Sequence, residues 1–170
     1  MKRIKVFLSV GDPHNQAQTK CVDTLVSYLN ERGIDAETLG RTFWSMQKPL
    51  RPIRRKMEKM SGAAVLAMER FVSFGGVYKA DSKHHRHVGR QSFPTVWTQI
   101  EVAMAYQLRL PLLILRDERL VAEGLFDPTI HEWIVVSFDS NQPSQIERSP
   151  VCKYIDLWIA QVRRRHHGKL

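Results

Sequence analysis

One acid stands in an otherwise apolar stretch. In FPTVWTQIEVAMAYQLRLPLLIL, residues 93–115, it is Glu101. The spacing predicts a helix over 95–108, followed by a strand over 110–115. Trp97, Glu101, Met104, Ala105 and Leu108 fall on one stripe of that helix, three or four residues apart. Val96, Ile100 and Ala103 widen its apolar surface. A carboxylate taken out of water must be paired, protonated or placed at a cleft. Two readings follow. Glu101 is a structural ion-pair partner, of Arg54, Arg70 or Arg116, or it presents negative charge to a bound ligand, with Trp97 one turn earlier as the wall.

Other groups could hold such a ligand. Ser9, Gly11 and the amides that precede the first helix could meet a phosphate, because helix N-termini attract anions. Asp12 is the only acid in that turn. Arg41 could pair with phosphate, and Phe43 and Trp44 could stack on a base. The same turn could equally be an ordinary one, and the same aromatics could pack on a neighbouring helix. The run HHRH, residues 84–87, lies in a basic segment with no carboxylate after Asp81, so no metal site is expected. Cys21 and Cys152 are far apart and lack CxxC spacing, which argues against zinc or a disulfide scaffold and fits a reducing cytoplasm.

The elements that must position these groups alternate. Strands are expected at 4–10, 34–39, 62–71, 110–115 and 133–139, and helices over the segments that follow 15, 50, 95 and 149. Residues 70–93 read as an irregular loop or insertion. Strand alternating with helix, with strands apolar on both faces, implies an α/β fold. The expected fold is a flavodoxin-like, five-stranded parallel sheet in the order 2-1-3-4-5, covered by helices on both sides. Ligands in such sheets bind at the carboxyl ends of the strands, near the switch point. That places first interest on residues 9–12, 40–44, 69–71 and the start of the 95–108 helix.

The chain of 170 residues is expected to form a single domain, and 43% hydrophobic residues supply one core. No apolar run is long enough to span a membrane, and the N-terminal run is too short for a signal peptide. A formal net charge of +9 favours anionic partners. The cations of residues 48–59 lie mostly opposite an apolar helix face, and RRRHH at 163–167 suits a helix C-terminus. No nucleic-acid fold signature accompanies them, so DNA or RNA is not the expected partner.

Several segments resemble the TIR domain family. VFLS at 6–9 is similar to its first strand, and MSGAAVLAM at 60–68 to its third. SFPTVWTQIE at 92–101 resembles the segment in which a Trp precedes the catalytic Glu by four residues, here Trp97 and Glu101. IEVAMAYQLRLPLLIL is also similar to the helix and strand of nucleoside 2-deoxyribosyltransferases, whose nucleophile is a Glu on this helix. Both groups cleave an N-glycosidic bond with that acid.

The TIR resemblance implies that NAD is a substrate rather than a cofactor, cleaved between nicotinamide and ribose at Glu101. Nicotinamide leaves neutral, so one carboxylate beside an oxocarbenium-like ribose suffices. It further implies a homo-oligomer that makes an ADP-ribose-derived signal for a separate effector, as in antiviral defence. A nucleoside 2-deoxyribosyltransferase or nucleotide N-glycosidase is the enzyme alternative. It would need a second acid near the base, for which Asp12 and Glu69 are the candidates. A non-catalytic nucleotide-sensing or scaffold module is the third reading.

Overall fold

The computed structural model describes residues 3–38, 50–129 and 133–168. In chain order the elements are β1 (Ile4–Val10), α1 (Gln16–Glu31), β2 (Ile34–Glu37), α2 (Leu50–Met57), β3 (Ala63–Ala67), β4 (Phe71–Ser73), β5 (Gly76–Tyr78), β6 (Arg86–Val88), β7 (Gln91–Phe93), α3 (Val96–Gln107), β8 (Leu112–Asp117), β9 (Ile134–Phe138) and α4 (Val151–His167). Five strands make a parallel sheet in the order β2-β1-β3-β8-β9, which is the order expected from the sequence.

Strand alternation divides the core into two layers. Val6, Leu8, Ala64, Leu66, Leu113 and Leu115 point to the side covered by α1 and α4, where Leu25, Leu29, Ile155 and Trp158 fill the space. Phe7, Ala63, Val65, Leu112 and Ile114 point to the side covered by α2 and α3, against Ile53, Met57, Val102 and Ala105. Ser9 shares the parity of Phe7. It therefore faces α3, and this sets up the site below.

Two expectations need correction. Residues 70–93 are not irregular: β4 pairs antiparallel with β7, and β5 with β6, so the segment is a jointed β-ribbon arm. The Gly75-Gly76 joint divides it into strands of three residues, too short for a period-two pattern to be legible. The third sheet strand also ends earlier than expected, at Ala67, because Phe71 belongs to the arm. The backbone N–H of Arg70 donates to the Phe93 carbonyl at 2.8 Å, closing the base of the arm, and that of Val121 donates to the Ser92 carbonyl at 3.0 Å, fastening the arm to the domain.

Gly62 marks the tightest packing between β3 and α4. An added Cβ would stand 2.5 Å from Val162 Cγ2 and 3.3 Å from both the Pro111 carbonyl oxygen and the Trp158 ring. Gly62→Ala is expected to destabilise the fold by about 1–3 kcal/mol through overpacking. Urea unfolding would show this as a lower midpoint with an unchanged slope.

Candidate functional site

The site begins with the face that α3 turns to the sheet. Thr98, Glu101, Val102 and Ala105 are its buried residues, spaced as one helical stripe. This corrects the stripe drawn from the sequence: Trp97 is 45% exposed and flanks the inner face instead of lying on it. The helix is apolar around most of its circumference, so apolarity alone did not fix its rotation. Thr95 caps it, with its hydroxyl accepting from the Trp97 N–H at 3.4 Å and its carbonyl from the Thr98 hydroxyl at 2.6 Å.

Glu101 is 8% exposed. Its carboxylate accepts a hydrogen bond from the Ser9 hydroxyl, and Ser9 is itself buried at the end of β1. Among the described residues no cation pairs with it. Arg54 pairs with Glu58 at 3.0 Å, Arg116 donates to the Leu120 carbonyl at 2.9 Å and to Ser137 at 2.8 Å, and Arg70 donates to the Asp12 carbonyl at 3.3 Å. The ion-pair reading therefore has no partner. Burial lifts the Glu101 carboxyl from its ordinary 4.5 to about 7, and the Ser9 hydroxyl opposes part of the rise. Ser9→Ala removes that opposition. The carboxyl is then expected to titrate still higher than in the parent, readable in its carbon chemical shift on NMR titration.

Glu101 opens onto a cleft of about 430 Å³ at the carboxyl ends of the strands. The turn after β1 supplies Val10, Gly11 and Asp12. Thr38 follows β2, Arg70 stands at the base of the arm, Ile53 comes from α2, and Thr95, Trp97 and Thr98 come from the start of α3. This is the switch point of the sheet, between β1 and β3. Gly11 has a packing reason: a Cβ there would press on Thr95 Cγ2 at 3.2 Å, displacing the cap of α3.

Of the residues singled out from the sequence, Gly11, Asp12, Trp97 and Glu101 meet at this cleft, and Ser9 lies beneath it in contact with the acid. Arg41, Phe43 and Trp44 lie outside the described residues. One amide before α1 and one in its first turn have partners already: the His14 N–H donates to the Gln18 side chain at 3.2 Å, and the Gln18 N–H donates to the Asn15 side chain at 2.9 Å. Glu69 is bound into the arm, accepting from Ser92 at 2.5 Å and pairing with Arg90 at 3.3 Å. Thr38 was not legible as a site residue, and Thr95 and Thr98 only as part of the helix start, because isolated threonines carry no spacing signal. From the sequence, Arg70 reads as an ion-pair candidate for Glu101 and as part of the segment ending the third strand, and is not singled out as a group that binds a ligand.

Among the described residues, the cleft thus presents one buried carboxylate, one guanidinium at its rim and one indole at its side. Cys21 is no competing nucleophile, since burial above all pushes its thiol up to about 12. Among the described residues, no helix is long and apolar enough to cross a membrane.

No protein-family model matches the sequence, and no curated protein matches it. Solved structures do share the fold. The CMP N-glycosidase BcmB of Clostridium botulinum is 14% identical, covering 91% of this chain and 98% of its own, with a TM-score of 0.55. The diflavin flavoprotein A3 of Nostoc sp. is 10% identical, covering 98% of each chain, with a TM-score of 0.50. At such identities the likeness establishes a flavodoxin-like fold, and the chemistry has to be argued from the cleft.

Proposed function

We propose that the protein is a nucleotide N-glycosidase that uses Glu101 to cleave the bond between a base and its ribose. The observation that carries this reading is a carboxylate buried at the strand ends, facing a ligand-sized cleft, with a hydroxyl and, among the described residues, no cation as its partner. Such a group costs stability, and an acid kept at that cost in a cleft is a functional candidate.

The cleft supplies the negative charge that the chemistry needs. The bond from C1′ to the base nitrogen breaks with its electron pair going to the base. Positive charge grows on the ribose ring, and ionised Glu101 neutralises it in a site poor in water, where the attraction is strong. Water then adds its hydroxyl to C1′, and its proton goes to the departing base. Ser9 orients the carboxylate. Arg70 meets the substrate phosphate, and Trp97 offers a face to the base.

For the substrate we favour a nucleoside 5′-monophosphate. The cleft volume of about 430 Å³ suits a mononucleotide, and the structural neighbour BcmB is a CMP N-glycosidase. The second reading is NAD, suggested by the TIR-like segments. One observation favours it: among the described residues that line the cleft, Glu101 is the only buried acid, and Asp12 is exposed. A charged nicotinamide leaves without protonation, whereas a pyrimidine or purine needs a proton or strong hydrogen bonds. Incubation with nucleoside monophosphates, nucleosides and NAD in parallel, followed by chromatography of released base, tests both readings, with Glu101→Gln as control. Release from none of them removes the proposal.

A further inference from the structure

We propose that the β-ribbon arm outside the cleft is a binding surface for single-stranded nucleic acid. The arm from Gly76 to Val88 is exposed along almost its whole length, so both its faces lack cover from the domain. A two-stranded ribbon of this size gains little stability by itself. Its charge is one-sided: Lys79, Lys83 and Arg86 project from it against a single acid, Asp81. Among the described residues none of those three cations is in an ion pair. The chain as a whole carries +9, so the far field also attracts a polyanion.

The aromatic rings select the kind of polyanion. Tyr78 has the Lys79 ammonium 5.4 Å and the Arg86 guanidinium 4.9 Å from its ring centroid. Phe74, at the joint of the arm, is 85% exposed. Rings set among cations are what an unstacked strand requires, because every base offers a face for stacking and every linkage a phosphate. An acidic peptide would use the cations and leave the rings idle. A lipid surface would call for apolar residues at the tip, but residues 79–85 of the tip are mostly polar, and the rings sit on the shaft. A duplex hides its base faces.

The test uses the whole protein and a fluorescein-labelled oligothymidylate of about 20 nucleotides, followed by anisotropy between about 50 and 200 mM salt. Binding is expected to weaken steeply with salt. The triple variant Lys79→Gln/Lys83→Gln/Arg86→Gln should lower the slope of log affinity against log salt by about 2. Tyr78→Ala should weaken binding about tenfold or more, whereas Tyr78→Phe, which keeps the ring, should not. These side chains lie outside the core and the cleft, so thermal midpoint and base release should stay as in the parent. Absent binding, or binding that none of the variants alters, would overturn the proposal. So would polyglutamate competing as well as the oligonucleotide, or anionic phospholipid vesicles binding in its place. Base release is measured separately, so failure here leaves the catalytic reading standing, and the reverse also holds.

Discussion

Glu101→Gln is expected to cut base release by at least about a thousandfold while making the protein more stable above neutral pH. Both effects have one cause. The amide fits the same place and can still accept from Ser9, but it carries no charge to set against the developing ribosyl cation. The parent carries that charge at a cost. Its carboxyl is lifted from 4.5 to about 7 by burial. Below pH 4.5 the folded and unfolded chains both hold the proton, and the burial is free of ionic penalty. As pH rises, the unfolded chain ionises first, so stability falls until the folded carboxyl ionises near 7. The full fall corresponds to about 3 kcal/mol. The Gln variant should lose that pH dependence and melt roughly 6–12 °C higher at pH 8. Base release in the parent should rise with pH, with its half-point near 7, because the ionised form acts. Full activity in the variant would remove Glu101 from the mechanism, and a flat pH profile in the parent would remove its ionisation from it.

Asp117→Ala is the substitution expected to hurt the fold most while sparing the cleft. Asp117 ends β8 with no exposed surface. Arg119 donates to it at 3.0 Å from Nε and 2.6 Å from Nη2, the Arg119 backbone N–H donates at 3.1 Å, and the Ser140 hydroxyl donates to the same carboxylate. Burial alone would raise the Asp117 pKa, but these donors and the Arg119 charge outweigh it and hold the carboxyl below its ordinary value. Removing the acid leaves a buried hydroxyl and a guanidinium without their shared acceptor. A loss of about 3 kcal/mol is expected, at the low end for a broken buried pair because Arg119 keeps some access to water. The pH signature is opposite to that of Glu101. A lowered carboxyl stabilises above its unfolded pKa and loses that contribution as pH falls through the folded value. The parent should therefore weaken in acid through this group, and the Ala variant should show less of that weakening in urea titrations at pH 2–5. A variant as stable as the parent at pH 7 would show that the network contributes nothing net.

The order of the sheet was legible because continuous apolar strands alternating with helices leave few arrangements once connections are short and right-handed. Glu101 was legible because an acid is conspicuous in an apolar helix. The arm was not, since its strands of three residues are shorter than the pattern that reveals a strand. The orientation of α3 was not either. A helix apolar on nearly all sides can lie on a sheet at many rotations, and only packing of Val102 and Ala105 into the core layer turned Thr98 and Glu101 inward and left Trp97 at the side.

By itself, then, the sequence determined the α/β sheet, the strand order and the acid worth examining, since these follow from periodicity and residue type within single segments. Only the tertiary structure decided the partner of that acid. Ser9 and Glu101 are 92 residues apart. Their contact depends on the parity of β1 and the rotation of α3, and no local pattern encodes either. The same holds for Arg70, which reaches the rim because the arm folds back on β7, and for the absence of any described cation beside the carboxylate. A charge's neighbours are set by how separate segments pack, and its pKa, and so its chemistry, follows from them.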